Sequence, residues 1–589
     1  MSLHLIDIIV IAAYFVLVLG IGWVSAKKAG KNTSEFFLSG RNAPWWLLGF
    51  SLVATTFAAD TPNLVTDIVR KNGVAGNWVW WAFLLTGMTT VFIYAKLWRR
   101  LGVMTDIEFY EVRYGGKSGA FLRGFRTLYV GLLINTIIMA NVTLAIVKIL
   151  GVMIGAPPWV TISTACTITT LYAMFGGFTA VLWVDFVLFL IAMSGAVLAA
   201  VCVVNGANIG TLHDILTHPN VVDKLSFFPD FSDANAVITL LVVPLCVMWW
   251  SAWYPGAEPG GGSYTAQHML SAKNENHALG AVLFFNFCHY AIRPFPWIVV
   301  ALCSLIVFPD IASLQKAFPA LPAPMINDDM AYPAMLRFLP HGFFGFVLAS
   351  LFAAFMSTVA THLNLGSSYM VNDFHRRFLH PKATEKECVL MGRIWTAVLM
   401  ALAVCVMFFL KSALDGFQIL IMVGSGTGLL FLLRWFWLRI NAYSEMAAMI
   451  FALIFAMYFK FWHADTAVSL IGQTAREQYP WLFADWFSLI TSVALTTIGW
   501  ITVTLLTPPE SEKTLQGFVS RTRCNETNIG KGIVCAAIGC VAIYAGLLCV
   551  GSFIYGNFTM AFILLGTAIF GGTLLLIIVP ERKKNTEQK

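Results

Sequence analysis

The stretch Pro44–Pro62, PWWLLGFSLVATTFAADTP, decides the architecture of this chain. It begins as an apolar helix and turns small and polar at Ala54, Thr55, Thr56, Ala58, Ala59, Asp60 and Thr61, just before Pro62. Proline lacks a backbone donor and clashes with the turn before it, so a helix through this stretch breaks partway or kinks. At membrane depth, the backbone groups freed by a break persist only where protein or a water-filled cavity satisfies them. Freed carbonyls suit a small hard cation, and freed N–H groups suit an anion. A kinked structural helix is the alternative, and the stretch alone does not separate the two.

The surroundings are membrane-like throughout. Of 589 residues, 58% are hydrophobic and 11% charged, against about 25% charged in soluble domains. The mean hydropathy is +0.76. This predicts an all-α integral membrane protein whose first partner is the lipid bilayer. The net charge of +7 sits in short loops between apolar spans, which argues for membrane orientation and against nucleic acid. Nothing in the sequence calls for an obligate protein partner. No cysteine pair has C-x-x-C spacing, so neither zinc nor a disulfide framework is expected from the 11 cysteines. The first span, about 5–24, is too long for a signal-peptide core and lacks a small-residue cleavage site, so it is expected to be retained.

At about 20 apolar residues per crossing, the chain reads as about fifteen spans. With the N-terminus outside, the odd-numbered loops carry Lys27, Lys28, Lys31, Arg41, Lys96, Arg99, Arg100, Arg376 and Arg377 among others, and the even loops carry few basic residues. This is the positive-inside pattern, with the C-terminus cytoplasmic. The expected location is the plasma membrane, the inner membrane in a bacterium. The seventh span carries a second interruption, WYPGAEPGGGSY from Trp253 to Tyr264, five spans after the first. Two interrupted helices heading inverted five-helix units point to a transporter's central site. The expected divisions are 1–43, an extra helix and loop; 44–234, the first repeat; 235–440, the second; and 441–589, additional helices and tail.

Several motifs resemble the sodium:solute symporter family, which includes the sodium/glucose and sodium/proline cotransporters. Phe36–Arg41 with Pro44–Trp46 resembles its FFLAGR…PWW. Gly176–Asp185 resembles GGxxAVxWxD, and Gln267–Lys273 (QHMLSAK) resembles QRxLxAK. Ala354–Thr358 resembles AxxSS, with Asn364 and Asp373 where the following N…D falls. The resemblance implies a LeuT-type fold of inverted five-helix repeats, with one helix before them and about four after. It implies a Na⁺ site formed by the carbonyls of Ala54, Phe57 and Ala354 and the hydroxyls of Ser357 and Thr358. A second Na⁺ site or an exit path would involve Asp185 and Thr361; Ala360 lacks the hydroxyl that a second site uses, so one Na⁺ per cycle is expected.

The family's sugar-binding members use polar residues that fall by local alignment at Thr61, about Trp80 or Trp81, about Gly262, about His289 and Ile421. None is kept, which disfavours a hexose. The chain offers instead Asp60, Glu258 and Arg293 at membrane depth, with Trp249, Trp250, Trp253, Tyr254 and Tyr264 nearby. Such charges cost a few kcal/mol unless paired or facing a cavity. Either Asp60 or Glu258 contacts the solute, or Glu258 and Arg293 form a bracing ion pair. His289 and His362 read as neutral, hydrogen-bonded histidines or as a proton relay. The resulting function is Na⁺-coupled symport of a small organic solute. A proton-coupled or uncoupled carrier is the alternative. An embedded enzyme is remote, since no HExxH, nucleophile elbow or P-loop occurs, and a sensor lacks its fused signalling domain.

Overall fold

The computed structural model describes residues 3–206, 209–257, 261–319, 326–409, 413–472 and 474–579. Among these, regular structure is helical, and the sole extended pairing is a bridge between Ala43 and Ala272. The principal elements are α1 (Leu5–Ala29), α2 (Trp45–Thr55), α3 (Thr61–Asn72), α4 (Val74–Leu101), α5 (Gly116–Ile154) and α6 (Pro158–Gly206). They continue with α7 (Ala234–Met248), α8 (Gly262–Ser271), α9 (Glu275–Val307), α10 (Phe343–Leu379), α11 (Glu385–Met407) and α12 (Ala413–Leu433). Four apolar helices follow: α13 (Ala442–Phe461), α14 (Asp485–Leu506), α15 (Ile529–Ile554) and α16 (Phe558–Ile578).

Eleven helices among the described residues are long and apolar enough to cross a membrane. One of them, α6, has 49 residues. A straight helix of that length would run about 70 Å, more than twice the roughly 30 Å hydrocarbon core. It turns back at Gly177, where φ is 55° and ψ is −160°. That left-handed angle is open to glycine alone at no steric cost. Space demands glycine as well, because a Cβ there would sit 2.7 Å from the Phe36 carbonyl oxygen.

Burial sorts the helices into centre and periphery. In α10, 89% of the most apolar window is buried, against 22% in α1 and 17% in α16. α10 is therefore the spine of the bundle, and α1 and α16 present apolar side chains outward, as lipid contact requires.

The two interruptions behave as the sequence predicts. α2 ends at Thr55, and α3 starts at Thr61 with Pro62 in its first turn, where a missing N–H is harmless. Between α7 and α8 the chain leaves helical geometry, with Trp253 at φ 55° and Gly256 and Gly261 at 74° and 73°. This unwound segment satisfies part of its own backbone. Gly256 N–H donates to Gly262 O, Ala257 N–H to Tyr254 O, and Gly262 N–H to Ala257 O, at 3.3, 3.0 and 3.2 Å. The ends remote from the two breaks, the start of α2 and the end of α8, are tied together by Ala43 N–H to Ser271 O and Lys273 N–H to Ala43 O.

Gly177→Ala should lower the melting temperature of the detergent-solubilised protein by the equivalent of about 2 kcal/mol or abolish folding. Gly572→Ala, with open space at its Cβ position, should leave it unchanged. Equal melting temperatures for the two variants would contradict the turn assigned to Gly177.

Candidate functional site

Ending a helix inside apolar surroundings leaves its last carbonyls without partners. At the end of α2 these carbonyls are met from three directions. Arg293 donates from Nη1 to Val53 O at 3.1 Å and from Nη2 to Thr56 O at 2.7 Å. Nη1 also reaches Thr56 Oγ1 and His289 Nδ1, both at 3.0 Å. Thr358 Oγ1, on α10, donates to Thr55 O at 2.9 Å and to its own-helix Ala354 O at 3.2 Å. Ala54 O accepts the N–H of Phe57 at 3.0 Å. Arg293 thus caps the negative end of a broken helix, with its guanidinium over the rings of Phe57 and Trp297 at 5.2 and 5.1 Å. Among the described residues it has no carboxylate partner; Glu258, the partner considered for it, lies outside the described residues.

Thr358 is the join between α2 and α10. One turn further, Thr55 Oγ1 and Thr361 Oγ1 are 3.0 Å apart. Ser357 Oγ and Asp185 Oδ1, on α6, are buried without a hydrogen bond of ordinary length, and the Ser357 and Thr55 hydroxyls lie close enough to the Asp185 carboxyl to interact with it. Asp185 Oδ2 accepts from Ser51 Oγ at 2.5 Å. Ser51 Oγ lies 2.8 Å from His268 Nε2, and His268 Nδ1 lies 2.7 Å from Tyr264 O. All three side chains of this chain, Asp185, Ser51 and His268, are fully buried. The structure therefore gathers Ala54, Phe57, Ala354, Ser357, Thr358, Thr361 and Asp185 around the end of α2. It adds Ser51 and His268, which the sequence reading missed. The available signal was His268, standing where the family motif QRxLxAK has arginine.

The other motif residues form a latch on the α8 side of the break. Gln267 Nε2 donates to Phe37 O at 3.0 Å and Asn364 Oδ1 at 2.8 Å, and Asn364 Nδ2 donates to Phe36 O at 3.2 Å. Asp373 accepts from Thr105 at 2.6 Å and Arg123 at 2.7 Å. These bonds tie α8 and α10 to the segment before α2, and the end of α10 to α5 and to the segment before it.

A small cavity, with about 10 Å³ open to the centre of a water molecule and so room for about one water, lies between α4, the α7–α8 region and α9. Four of its lining residues carry buried polar atoms with no partner: Thr90 Oγ1, Thr265 Oγ1, Asn286 Oδ1 and Tyr290 OH. Phe83, Trp253 and Phe285 supply aromatic walls. Gly87 makes room for the amide, since a Cβ there would sit 1.7 Å from Asn286 Oδ1. Both α4 and α9 contain a π-helical stretch at this level, Thr90–Tyr94 and Phe287–Ile292. Such stretches widen the helix and recur at functional sites. A buried polar atom without a partner costs about 1–3 kcal/mol, so four together mark a place for water or a polar ligand.

Of the remaining candidates, some border this cavity and others do not. Trp253 lines it. His289 is packed edge-on by Trp80 and Trp253, at 5.6 and 4.8 Å, and Trp80 stacks on Tyr290. Trp81 is fully buried with its indole nitrogen unpartnered. Tyr254 turns the other way and donates to Phe431 O at 2.9 Å on α12. Tyr264 packs against His362, which is 2.7 Å from Asn135 Oδ1. Asp60 and Thr61 stand half-buried at the start of α3, and Asp60 has no ion-pair partner among the described residues.

Comparison with known proteins follows this geometry. The model of the sodium:solute symporter family matches residues 36–452. The chain is 27% identical over 482 residues to a sodium/glucose cotransporter of Vibrio parahaemolyticus, covering 78% of this chain and 86% of that protein. It is 26% identical over 468 residues to the sodium/mannose cotransporter SLC5A10 of Bos taurus, covering 75% and 76%. A Na⁺-coupled sialic acid symporter, solved in a substrate-bound outward-open state, superposes with a TM-score of 0.68 at 20% identity, over 86% of this chain and 99% of that one. The shared fold is the LeuT-type architecture of a transporter, and the enzyme and sensor readings fall away. With the family's model spanning both broken helices and the spine between them, the chain belongs to the sodium:solute symporter family.

Proposed function

We propose that one Na⁺ binds at the end of α2, held by the carbonyls of Ala54, Phe57 and Ala354 and the hydroxyls of Ser357 and Thr358. The observation that carries this reading is the Thr358 hydroxyl bridging Thr55 O and Ala354 O beside the buried Ser357 Oγ. An all-oxygen shell suits a hard monovalent cation, and hydroxyl oxygens keep lone pairs for it when their protons turn away. Asp185 and Thr361 are read as the ion's way out rather than as a second site. Ala360 offers no hydroxyl there, and Asp185 Oδ2 is already engaged by Ser51.

The solute, a small organic molecule, is assigned to the region of Thr90, Thr265, Asn286 and Tyr290 and its aromatic walls, which has room for about one water as it stands and must widen to admit the solute. The two sites share a physical connection. Arg293 holds the end of α2 and His289 together, and His289 packs against Trp80, Trp253 and Tyr290 at the cavity. Filling one site favours the arrangement that the other needs, and by linkage the effect is reciprocal. Alternating access then follows from one bundle of helices rocking against the other, with the α8 latch as the closed gate. The inverted repeats are taken as 44–234 and 235–440.

A thermal-shift screen of a metabolite library in Na⁺ and in K⁺ tests both assignments, because a ligand that binds only the native state raises its stability. Na⁺ alone should stabilise the wild type, and Ser357→Ala and Thr358→Ala should each weaken that response by about tenfold in Na⁺ concentration, as loss of about 1.4 kcal/mol implies. Asn286→Leu should keep the Na⁺ response and lose the solute's. An unchanged Na⁺ response in both hydroxyl variants would reject the ion site, and a retained solute response in Asn286→Leu would reject the cavity.

With α6 counted twice at Gly177 and each broken helix once, the chain reads as fifteen spans, an odd number that sets its ends on opposite sides; the basic residues of the odd-numbered loops support an outside N-terminus and a cytoplasmic C-terminus. Reporters fused to the two ends should lie on opposite sides of the membrane. The same side for both would mean an even number of crossings.

A further inference from the structure

Far from the ion and solute sites, the connection between α10 and α11 brings three metal-ligating side chains to one point. His375 Nε2 lies 3.2 Å and His380 Nδ1 2.7 Å from the same oxygen, Oε1 of Glu387. The three ligand atoms all fall within 4.8 Å of one another. We propose that His375, His380 and Glu387 form a binding site for a divalent first-row transition ion of the Zn²⁺ class.

The geometry is close to what such an ion needs. A tetrahedral ion bound at about 2.0–2.1 Å holds its ligand atoms about 3.3 Å apart. The His375–Glu387 separation of 3.2 Å already matches, His380 at 2.7 Å needs to withdraw by about 0.6 Å, and the two imidazole nitrogens lie within 4.8 Å of each other. Two imidazoles and one carboxylate leave a fourth position for water, an arrangement that Zn²⁺ accepts. Imidazole nitrogen discriminates against Mg²⁺ and Ca²⁺, which take oxygen.

The backbone holds the three residues in place. His380 N–H donates to His375 O at 2.7 Å, and Ala383 N–H to His380 O at 3.0 Å. Thr384 caps α11 by accepting the N–H of Glu387 at 3.3 Å. The neighbouring arginines are engaged elsewhere, Arg376 with Glu385 at 3.0 Å and Arg377 with Glu111 at 2.5 Å. Side-chain exposures of 16%, 52% and 33% for His375, His380 and Glu387 leave the ion a path in and out, so the site is exchangeable rather than permanent. Cysteine spacing pointed away from zinc, and this triad contains no cysteine. Its occupant would staple the last turn of α10, the helix that carries Ser357 and Thr358, to the first turn of α11.

The test is calorimetric titration of the full-length, tag-free protein in detergent with Zn²⁺, and with Mg²⁺ as the hard-ion control. The wild type should take up a Zn²⁺ equivalent that His380→Ala and Glu387→Gln each bind at least about tenfold more weakly, since even outer-shell partners are worth that much. Melting temperatures recorded in chelator should be the same for all three proteins, which separates loss of a ligand from loss of the fold. The exposed Cys246 and Cys405 are present in every protein and cannot create the difference. No saturable Zn²⁺ binding by the wild type, undiminished binding in both variants, or equal affinity for Mg²⁺ would overturn the proposal.

Discussion

A helix that stops in the middle of a membrane must find partners for the carbonyls it exposes, because no water is there to take them. Everything central to this protein follows from how that demand is met at Val53–Thr56. Arg293 takes the carbonyls of Val53 and Thr56, Phe57 N–H takes Ala54, and Thr358 takes Thr55. The guanidinium suits the task because it presents several donors in a fixed plane and is always charged. Its charge opposes the negative end of the α2 dipole, and the Phe57 and Trp297 rings replace part of its lost hydration. Deleting it would strand two buried acceptors at about 1–3 kcal/mol each.

Under the ion and solute sites proposed above, the partners of the broken helix also account for how ion and solute would be felt together. Thr358 belongs to the buried spine, and Arg293 belongs to α9, which forms one wall of the cavity. A cation that draws the Thr358 and Ser357 oxygens toward the break changes what Arg293 sees at Val53 and Thr56. His289 carries the consequence to Trp80, Trp253 and Tyr290. The proposed coupling element is therefore a short, contiguous set of contacts around one helix end, of the kind able to hold two discrete arrangements.

The break itself was legible. Small polar residues followed by Pro62 form a local signal, and the paired Pro- and Gly-rich interruption five spans later gave the architecture. The role of Arg293 was not legible. A buried arginine ordinarily calls for a carboxylate, so Glu258 was the natural partner to consider. That its partners among the described residues include the carbonyls of Val53 and Thr56 depends on α9 facing the end of α2, which no local pattern records; Glu258 lies outside the described residues. The cavity residues were hidden for another reason. Thr90, Thr265 and Asn286 sit in apolar helices, where hydroxyls and amides usually bond back to their own helix, and the π-helical stretches that hold Thr90 and Tyr290 leave no periodic trace. Tyr254 shows the converse. It sits beside the second break as a pocket wall should, yet a left-handed turn at Trp253 sends the following side chain toward α12. The interplay of Ser51, Asp185 and His268 was partly visible, in the histidine that replaces the motif's arginine.

Amide hydrogen–deuterium exchange, compared in Na⁺ and in K⁺ without solute, tests the central claim most directly. If the broken helix is the cation site, peptides covering 53–61 and 354–361 exchange more slowly in Na⁺, while peptides from α15 and α16 are unaffected. Equal exchange in the two salts at 53–61, with or without changes elsewhere, would contradict the account.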